Sequence, residues 1–277
     1  MKDFSNLVIP PLPAVSAEIM RFDPLGENAS SQGLEQIVAP DEGVCADLLR
    51  IANSSFYGRS GRIRTLKDAI TLLGLKTVKN LVVLSATKTI NSALRGPTYR
   101  RYLHEFTVAS ALVAEEMCLE LGLKARKEEA FLGALLHKIG MTIMGLTYGK
   151  AYAELIRKAE ETGELLTDLE RGSLGTDHIE IGKCVFETWR IPQPLQEVIA
   201  GHNFIPDAIQ DVPELVRITA LASLTTREMM GLLLPMEDLD RRARIAASYN
   251  AAGLIAKYDE RKFEAIKAHP FYQQVAA

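Results

Sequence analysis

The chain has 277 residues, of which 47% are hydrophobic and 24% are charged, and its formal net charge is −3. This length is enough for one large domain or two small ones with a real core, and the composition is typical of a soluble globular protein. The slightly negative charge argues against a dedicated nucleic-acid-binding protein, because such proteins are usually basic.

The first hundred residues predict short helices separated by turns. Helices are expected over 13–22, over 41–53, in the segment behind Thr65 and in a segment that ends before 95–97. In the second of these, Val44, Leu48 and Ile51 share one apolar stripe, which is helical spacing. Thr65 and Asp68 resemble a capping box at a helix start, and Gly74 suits a helix end.

The same spacing continues to the C-terminus. It predicts helices over 98–122, 126–141, 147–162, 165–172, 176–189 and 193–201, one from Asp211 and Pro213 to about Met230, and more in the tail. No segment alternates with the period of two that marks a half-buried strand, and no glycine-rich phosphate loop is present. We therefore predict an all-α fold.

The sequence predicts a single structural unit with one internal joint near residues 96–99. That joint is too short for a free linker, so it would separate an N-terminal helical layer, 10–96, from a histidine-bearing helical core, 97–230. Residues 231–277 would form a C-terminal helical extension, as a separate appendage.

The N-terminus and the cysteines indicate an intracellular setting. Residues 1–15 lack a basic region followed by an apolar run, and no uninterrupted run reaches about 18 apolar residues. Cys45, Cys118 and Cys184 form no CxxC pair, so neither a zinc knuckle nor a disulfide framework is indicated. We expect a cytoplasmic protein with reduced thiols and no membrane association.

Four histidines are the one constellation with possible chemistry: His104, His137, His178 and His202. Neutral imidazole is the commonest protein ligand of metals, so the four suggest a metal centre. The alternative is that they are ordinary polar residues with hydrogen-bond partners, and spacing alone favours that alternative. His269, in the tail, is expected to be exposed.

Five segments in order resemble the HDOD domain, an HD-related output domain of bacterial signalling proteins. They are "DEGVCADLLRIANSSFYG" (41–58), "IRTLKDAITLLGLKTVKNLVV" (63–83), "FLGALLHKIG" (131–140), "LGTDHIEIGKCVFETWRIP" (174–192) and "VIAGHNF" (198–204). The resemblance covers roughly residues 10–230 and implies an HD-like multi-helix bundle. In the third segment the family's pattern has Asp where this chain has Lys138.

The resemblance also implies a degenerate metal site. In metal-dependent HD phosphohydrolases a His, a His-Asp pair and a later Asp bind the catalytic metal. These positions would be His104, His137-Lys138 and a residue near Ser223, so both carboxylates are lost. The further histidines of the two-metal branch would be His178 and His202, followed by Asn203: the full set is His104, His137, Lys138, His178, His202, Asn203 and Ser223.

Lys138 is the residue that bears most on catalysis. A protonated lysine is a cation that only donates hydrogen bonds, and at about 4 Å and an effective dielectric near 20 two unit charges interact by about 4 kcal/mol. We therefore expect no tightly bound catalytic metal and no other cofactor. Lys138 either packs its stem with the head in solvent, or acts as a counter-ion near Asp177 or Glu170, or is a catalytic lysine.

Outside the histidines, the loop 53–62 and its surroundings offer possible ligand or partner contacts. Asn53 suits helix-end and turn hydrogen bonds, while Arg59, Arg62 and Arg64 form a basic cluster that suits an anionic ligand or is simply solvated.

Three functions follow as hypotheses. The first is a non-catalytic signalling domain that binds an unidentified signalling protein or a second copy of itself. The second is a metal-dependent phosphohydrolase, and the third is a receptor that binds a small anion, such as a nucleotide, in the former active-site cavity. The first is favoured, because both metal carboxylates are replaced.

Overall fold

The computed structural model describes residues 6–24, 26, 29–58 and 62–276. Within those residues the chain is all-α, as the spacing predicted, with no β-strand. The helices form one layered bundle around a shared apolar core.

The N-terminal layer consists of five helices: α1 (Ala14–Arg21), α2 (Ser31–Val38), α3 (Glu42–Ala52), α4 (Leu66–Leu73) and α5 (Leu75–Asn91). A short 3₁₀ turn, Ser55–Tyr57, follows α3. The capping box at Thr65 is partly confirmed, because its side chain accepts the amide of Asp68 at 3.1 Å. Gly74, with φ +80°, ends α4 and allows α5 to leave at 110° to it.

The central core is built from longer helices. They are α6 (Pro97–Tyr99), which continues through a π-helical turn (Arg100–Glu105) into α7 (Phe106–Glu120), then α8 (Lys127–Leu136), α9 (Ile139–Tyr148), α10 (Lys150–Thr162), α11 (Leu166–Leu174), α12 (His178–Thr188), α13 (Gln193–Gly201) and α14 (Glu214–Met229). Short 3₁₀ helices, Lys124–Arg126 and Pro206–Asp211, precede α8 and α14. Helix α7 packs against α8 and α14, and α9 packs against α12.

The C-terminal extension contains α15 (Met236–Ser248), α16 (Ala252–Ile255), α17 (Glu260–Lys267) and α18 (Pro270–Ala276). It is not a separate appendage, because α15 packs on α14 while α17 and α18 pack on α7. Its apolar residues Ile245, Ile266 and Phe271 are buried in the same core as the central helices. The extension is therefore part of the bundle and takes part in the surfaces described below.

Helix α2 was missed by the sequence prediction. It is only eight residues long and begins where the Ser30 hydroxyl accepts the amide of Gly33 at 3.0 Å. Its two buried residues, Leu34 and Val38, are too few to establish a helical period over so short a segment. Tertiary packing against α4 stabilises it instead.

The predicted helix 126–141 is two helices, and the break between them lies at the histidine-lysine pair. Helix α8 ends at Leu136, His137 and Lys138 form the turn, and α9 begins at Ile139. Apolar residues continue on both sides, so the period alone did not show the break. The last central helix was also placed slightly early, since Asp211 ends a 3₁₀ helix and Pro213 is the residue before α14.

The α8–α9 region also has the length and apolar composition of a membrane-spanning helix. By length and composition, residues Lys124–Tyr148 could cross a membrane, and so could α4 and α5 if the bent pair is counted as one span. In the fold, however, 83% of the apolar window in Lys124–Tyr148 is buried, as in the central helix of a globular core.

Candidate functional site

Three of the four predicted histidines converge inside the bundle. His137 and His202 each follow the last residue of a helix, α8 and α13, and His178 begins α12. Their side chains are 1%, 5% and 2% exposed, respectively. The ring centroids of His137 and His202 are 5.3 Å apart, and those of His178 and His202 are 5.7 Å apart. We call these three residues the imidazole cluster.

A backbone contact between α9 and α12 holds the cluster together. A Cβ atom at Gly140 would lie 1.8 Å from the carbonyl oxygen of His178 and 2.9 Å from the amide nitrogen of Gly182. Because such distances are sterically impossible, only glycine at position 140 allows α9 to approach α12 this closely. Asp177 caps the start of α12, where its carboxylate accepts the amides of Ile179 and Glu180, both at 2.9 Å.

The Nδ1 atoms of His137 and His202 are anchored to backbone carbonyls. His137 Nδ1 lies 2.7 Å from the oxygen of Ala134, and His202 Nδ1 lies 3.0 Å from the oxygen of Ile199. Since a carbonyl oxygen only accepts, both rings carry their proton on Nδ1 and turn the Nε2 lone pair away from their own helix.

His178 is anchored by a buried carboxylate instead of a carbonyl. Its Nδ1 lies 2.7 Å from Glu170 Oε2, which also accepts the backbone amide of His178 at 3.0 Å. The other oxygen of Glu170 accepts the hydroxyl of Tyr152 at 2.5 Å. Glu170 is completely buried, so these three hydrogen bonds compensate for its loss of hydration. Burial and the Glu170 carboxylate raise the pKa of Tyr152, which stays a hydrogen-bond donor.

The three Nε2 atoms have different surroundings. His137 Nε2 accepts a hydrogen bond from the Ser223 hydroxyl of α14 at 3.0 Å. The Nε2 atoms of His178 and His202 are buried and have no protein partner. A buried polar atom without a hydrogen-bond partner costs free energy. Apolar packing of the core therefore does not explain the two unpartnered Nε2 atoms.

Lys138 supplies positive charge beside the cluster. Burial and the nearby charge of Lys138 hold the pKa values of His137 and His202 well below the usual range, so both rings are neutral at pH 7. Burial, with a smaller contribution from Arg227, lowers the pKa of Lys138 itself to about 8, while Asp238 and Glu170 oppose that shift. The ammonium group is therefore easier to deprotonate than an ordinary lysine.

The predicted counter-ions of Lys138 are only partly the ones in the structure. Glu170 does act on it, but the Asp177 carboxylate is held by Arg171, whose Nε lies 2.6 Å away. Asp238, from the C-terminal extension, acts on Lys138 as well. The sequence alone did not indicate Asp238, because nothing in the spacing relates α15 to the histidines.

A small cavity adjoins the cluster. Its volume is about 50 Å³, and its polar lining consists of Tyr102, Lys138, Glu164, Thr167, His178, Asn203, Arg227 and Asp238. A buried water occupies roughly 30 Å³ of liquid volume, so this space suits one or two waters or a small anion. Asn203, which the resemblance assigns to the degenerate site, lines this cavity together with Lys138 and His178.

His104 is not part of the cluster. Its ring donates a hydrogen bond to the backbone of Asn91, and it lines a separate surface cavity with Arg95 and Arg100. The aromatic ring that contacts His137 comes instead from Phe106, with 6.1 Å between centroids. Residues two apart on a helix point to opposite sides, so His104 faces away from His137.

Of the residues predicted to contact a ligand or partner around loop 53–62, Asn53 has a structural role. The Asn53 amide donates to the carbonyls of Leu49 and Ile63, at 2.9 and 2.8 Å, and its oxygen accepts the Ile63 amide at 3.0 Å. Arg62 and Arg64 are exposed and do not line the cavity beside Lys138, and Arg59 lies outside the described residues.

The sequence carried one signal for Glu170 as a site residue. In α11 Leu166 and Leu169 fall on the buried side, and Glu170 is four residues after Leu166 on that same side. A carboxylate on an apolar stripe indicates a buried, hydrogen-bonded acid. No comparable signal marked Tyr152 or Arg227, whose roles depend on how distant helices meet.

The donor set of the cluster does not fit a divalent metal. Among the described residues, no group of three or more His, Cys, Asp or Glu side chains is arranged to hold a metal ion. The cluster offers imidazoles without a carboxylate, the Ser223 hydroxyl occupies the lone pair of His137, and Lys138 adds a positive charge. Catalytic metal pairs that activate water usually require carboxylate oxygens.

Comparisons with known proteins agree with the fold. The family model for the HDOD domain matches residues 9–205. A protein of Treponema pallidum (strain Nichols), named only as uncharacterized, is 25% identical over 242 residues, which are 84% of this chain and 45% of that protein. The chain therefore spans less than half the length of this relative.

Two solved structures are also similar. An HDOD domain protein of unknown function from Geobacter sulfurreducens has a TM-score of 0.73 and 19% identity, with 95% of this chain and 92% of that chain covered. A candidate phosphohydrolase from Shewanella amazonensis SB2B has a TM-score of 0.69 and 24% identity, with 97% and 95% covered. At these identities the similarity establishes a common fold.

Proposed function

This chain belongs to the HDOD domain family, and from that premise we propose that it is a non-catalytic signalling domain that acts by binding another protein. HDOD domains are related to HD phosphohydrolases, and the imidazole cluster keeps part of that architecture. The partner would be a signalling protein or a second copy of the chain, in the cytoplasm.

The observation that carries this proposal is the pair Lys138 and Ser223. The resemblance assigns metal-binding carboxylates to these two positions, and here one holds a cation and the other a hydroxyl that binds His137 Nε2 at 3.0 Å. At about 4 Å and an effective dielectric near 20, each unit of charge on a metal would be opposed by about 4 kcal/mol. A metal-bound water that attacks a phosphoester would therefore be difficult to form.

The direct test compares the metal content of the purified native chain with that of the double variant Lys138→Asp, Ser223→Asp. We expect the native chain to retain less than about 0.1 metal per chain and to leave cyclic dinucleotides uncleaved, and the double variant to retain more metal, because it restores two anionic ligands. The matched control is Lys124→Asp, Ser92→Asp, which makes the same exchange at exposed positions. A native chain that retains one or two metals and cleaves a phosphodiester contradicts the proposal.

The second candidate is a metal-dependent phosphohydrolase, and one observation favours it. All three imidazoles are anchored through Nδ1, which is how metal-binding histidines are usually oriented by their surroundings. The Nε2 atoms of His178 and His202 are also without partners. Metal in the native chain, lost in a His178→Gln, His202→Gln variant together with hydrolysis, would establish this candidate instead.

The third candidate is an anion receptor in the same cavity. Lys138 and Arg227 both line it, but its volume of about 50 Å³ suits a phosphate-sized anion rather than a whole nucleotide. A thermal-shift titration with inorganic phosphate separates this candidate from the first, because a ligand that binds only the folded chain raises its melting temperature. A rise that disappears in Lys138→Met would assign the anion to this cavity.

A further inference from the structure

A second and larger cavity lies between the C-terminal extension and the rest of the bundle. Its volume is about 450 Å³, and its walls come from the turn Ser55–Tyr57, from α5, α7 and α8, and from α17 and the start of α18. We call it the C-terminal cleft. It shares no lining residue with the cavity beside Lys138. Its volume is within the range of small-molecule sites in proteins.

Aromatic rings form one wall of the cleft. Phe56 is 59% exposed, which is unusual for a phenylalanine beside a concave surface. Its ring meets Tyr57 edge-on, with 5.2 Å between centroids, and meets His269 in the same way at 4.8 Å. The exposed part of the Phe56 ring is therefore held in place while remaining open to a flat partner.

Two polar side chains that line the cleft, Asn80 and His269, have hydrogen-bonding capacity that the described protein partners do not use fully. Asn80 is 4% exposed, and its Oδ1 atom is buried without a partner, so an acceptor in the lining of the cleft lacks a donor. His269 is half-buried rather than exposed, and burial lowers its pKa to about 4, so its ring is neutral at pH 7. Its Nδ1 accepts the amide of Phe271 at 3.1 Å, which leaves the proton on Nε2 as a donor.

The charged residues of the cleft largely neutralise one another. Three lysines and three glutamates line it, in the ion pairs Lys127–Glu115, Lys262–Glu116 and Lys76–Glu128. With its cations paired in this way, the cleft offers little attraction to a free phosphate or a dicarboxylate. It favours a ligand with little net charge.

We propose that the C-terminal cleft binds a planar nitrogen heterocycle of the nucleobase type, stacked on Phe56 and hydrogen-bonded to Asn80 and His269. A nucleobase presents a donor and an acceptor on one edge of a flat ring, which matches a lone acceptor and a lone donor beside an aromatic wall. The ligand would bridge the turn between α17 and α18 to α5 and so connect the C-terminal extension to the N-terminal layer. This site is independent of the proposed signalling role.

The test is a calorimetric titration of the full chain with adenosine, guanosine, cytidine and uridine. We expect saturable binding of at least one nucleoside with a Kd below about 1 mM, which corresponds to about 4 kcal/mol. The matching nucleoside monophosphate should bind within about threefold of its nucleoside, because the cations of the cleft are already paired. No saturation by any nucleoside at about 5 mM overturns the proposal.

Three variants locate the ligand. Phe56→Ala removes the stacking surface and Asn80→Leu removes the acceptor at similar volume, and each should weaken binding at least about fivefold. Ala265→Trp, at an exposed position in the wall of the cleft, should abolish binding by filling it. Met236→Ala, which changes an exposed residue outside the cleft, and Lys138→Met should leave the Kd unchanged.

Neither Phe56→Ala nor Ala265→Trp is expected to unfold the chain, because Phe56 is exposed and the change at Ala265 deletes no existing contact. A change in binding can therefore be separated from a loss of folding. Weaker binding by Phe56→Ala and Asn80→Leu and none by Ala265→Trp, with unchanged melting temperatures, supports the cleft as the site. Binding that survives Ala265→Trp or depends on Lys138 overturns the assignment, since the ligand then lies elsewhere.

Discussion

The imidazole cluster and the C-terminal cleft are built in opposite ways. The cluster is closed by a backbone contact at Gly140, is almost fully buried and adjoins only about 50 Å³ of space. The cleft is about 450 Å³ in volume and is lined by side chains, among them the exposed Phe56. The difference shows that the buried histidines and the cleft with room for a ligand lie at separate places in this fold.

The largest expected effect concerns the backbone contact that closes the cluster. Gly140→Ala would place a methyl group 1.8 Å from the His178 carbonyl, so α9 and α12 must move apart. We expect the free energy of unfolding to fall by about 3 kcal/mol or more, although alanine is the better helix former by about 1 kcal/mol. Urea unfolding followed by circular dichroism measures this loss.

Gly172→Ala is the matched control for that change. Gly172 also lies within a helix, α11, but nothing is within 4 Å of a Cβ atom there. It should be neutral or stabilising by up to about 1 kcal/mol. If Gly140→Ala is as harmless as Gly172→Ala, the cluster is not closed by a rigid backbone contact and the contrast with the cleft is lost.

Acid should weaken the fold through the cluster. The pKa of His137 and that of His202 lie well below 6.5 in the folded chain, so between pH 6.5 and that lower value only the unfolded chain binds the proton. The stability that these residues contribute is therefore present above pH 6.5 and lost as the pH falls. The loss grows by at most about 1.4 kcal/mol per pH unit for each of the two residues as the pH falls.

His202→Gln tests the acid effect, because glutamine does not titrate. Urea midpoints at pH 7 and pH 5 should differ less for this variant than for the native chain, because one of the two protonation steps is removed. The same pH dependence in both proteins would show that His202 is not held neutral by burial beside Lys138.

A smaller effect is expected from the hydroxyl that completes the cluster. Ser223→Ala leaves His137 Nε2 buried without its 3.0 Å hydrogen bond, and should lower the free energy of unfolding by about 1–2 kcal/mol. Ser110→Ala is the control, because Ser110 is fully buried and its hydroxyl has no protein partner. That change should be close to neutral in thermal unfolding. Equal losses at both positions would mean that the His137–Ser223 bond contributes nothing specific.

Sequence reasoning predicted the all-α class and most helices, since apolar spacing of three and four residues is a local property. It missed α2, whose stability comes from packing on α4, and it joined α8 to α9, because His137 and Lys138 interrupt a run that stays apolar on both sides. These errors have one cause, which is that tertiary contacts decide where a short helix forms or a long one breaks.

The residues of the candidate site were also predicted only in part. The family resemblance identified His137, His178 and His202, which the fold brings together. It could not show that His104 points away from them, because the π-helical turn before α7 and the side of the helix that faces α8 are set by packing. The cleft was not predicted at all, since its walls come from segments more than 200 residues apart, such as Phe56 and His269.

The smallest effect on stability is expected in the cleft. Phe56 is 59% exposed, so Phe56→Ala removes little buried area and should lower the free energy of unfolding by less than about 1 kcal/mol, compared with about 3–5 kcal/mol for a fully buried phenylalanine. Thermal unfolding of Phe56→Ala measures this loss of stability. The control is Met236→Ala, at a residue that is 81% exposed. A loss near that of a buried ring would make Phe56 a packing residue that holds α17 in place, and its exposed face would then need no ligand to explain it.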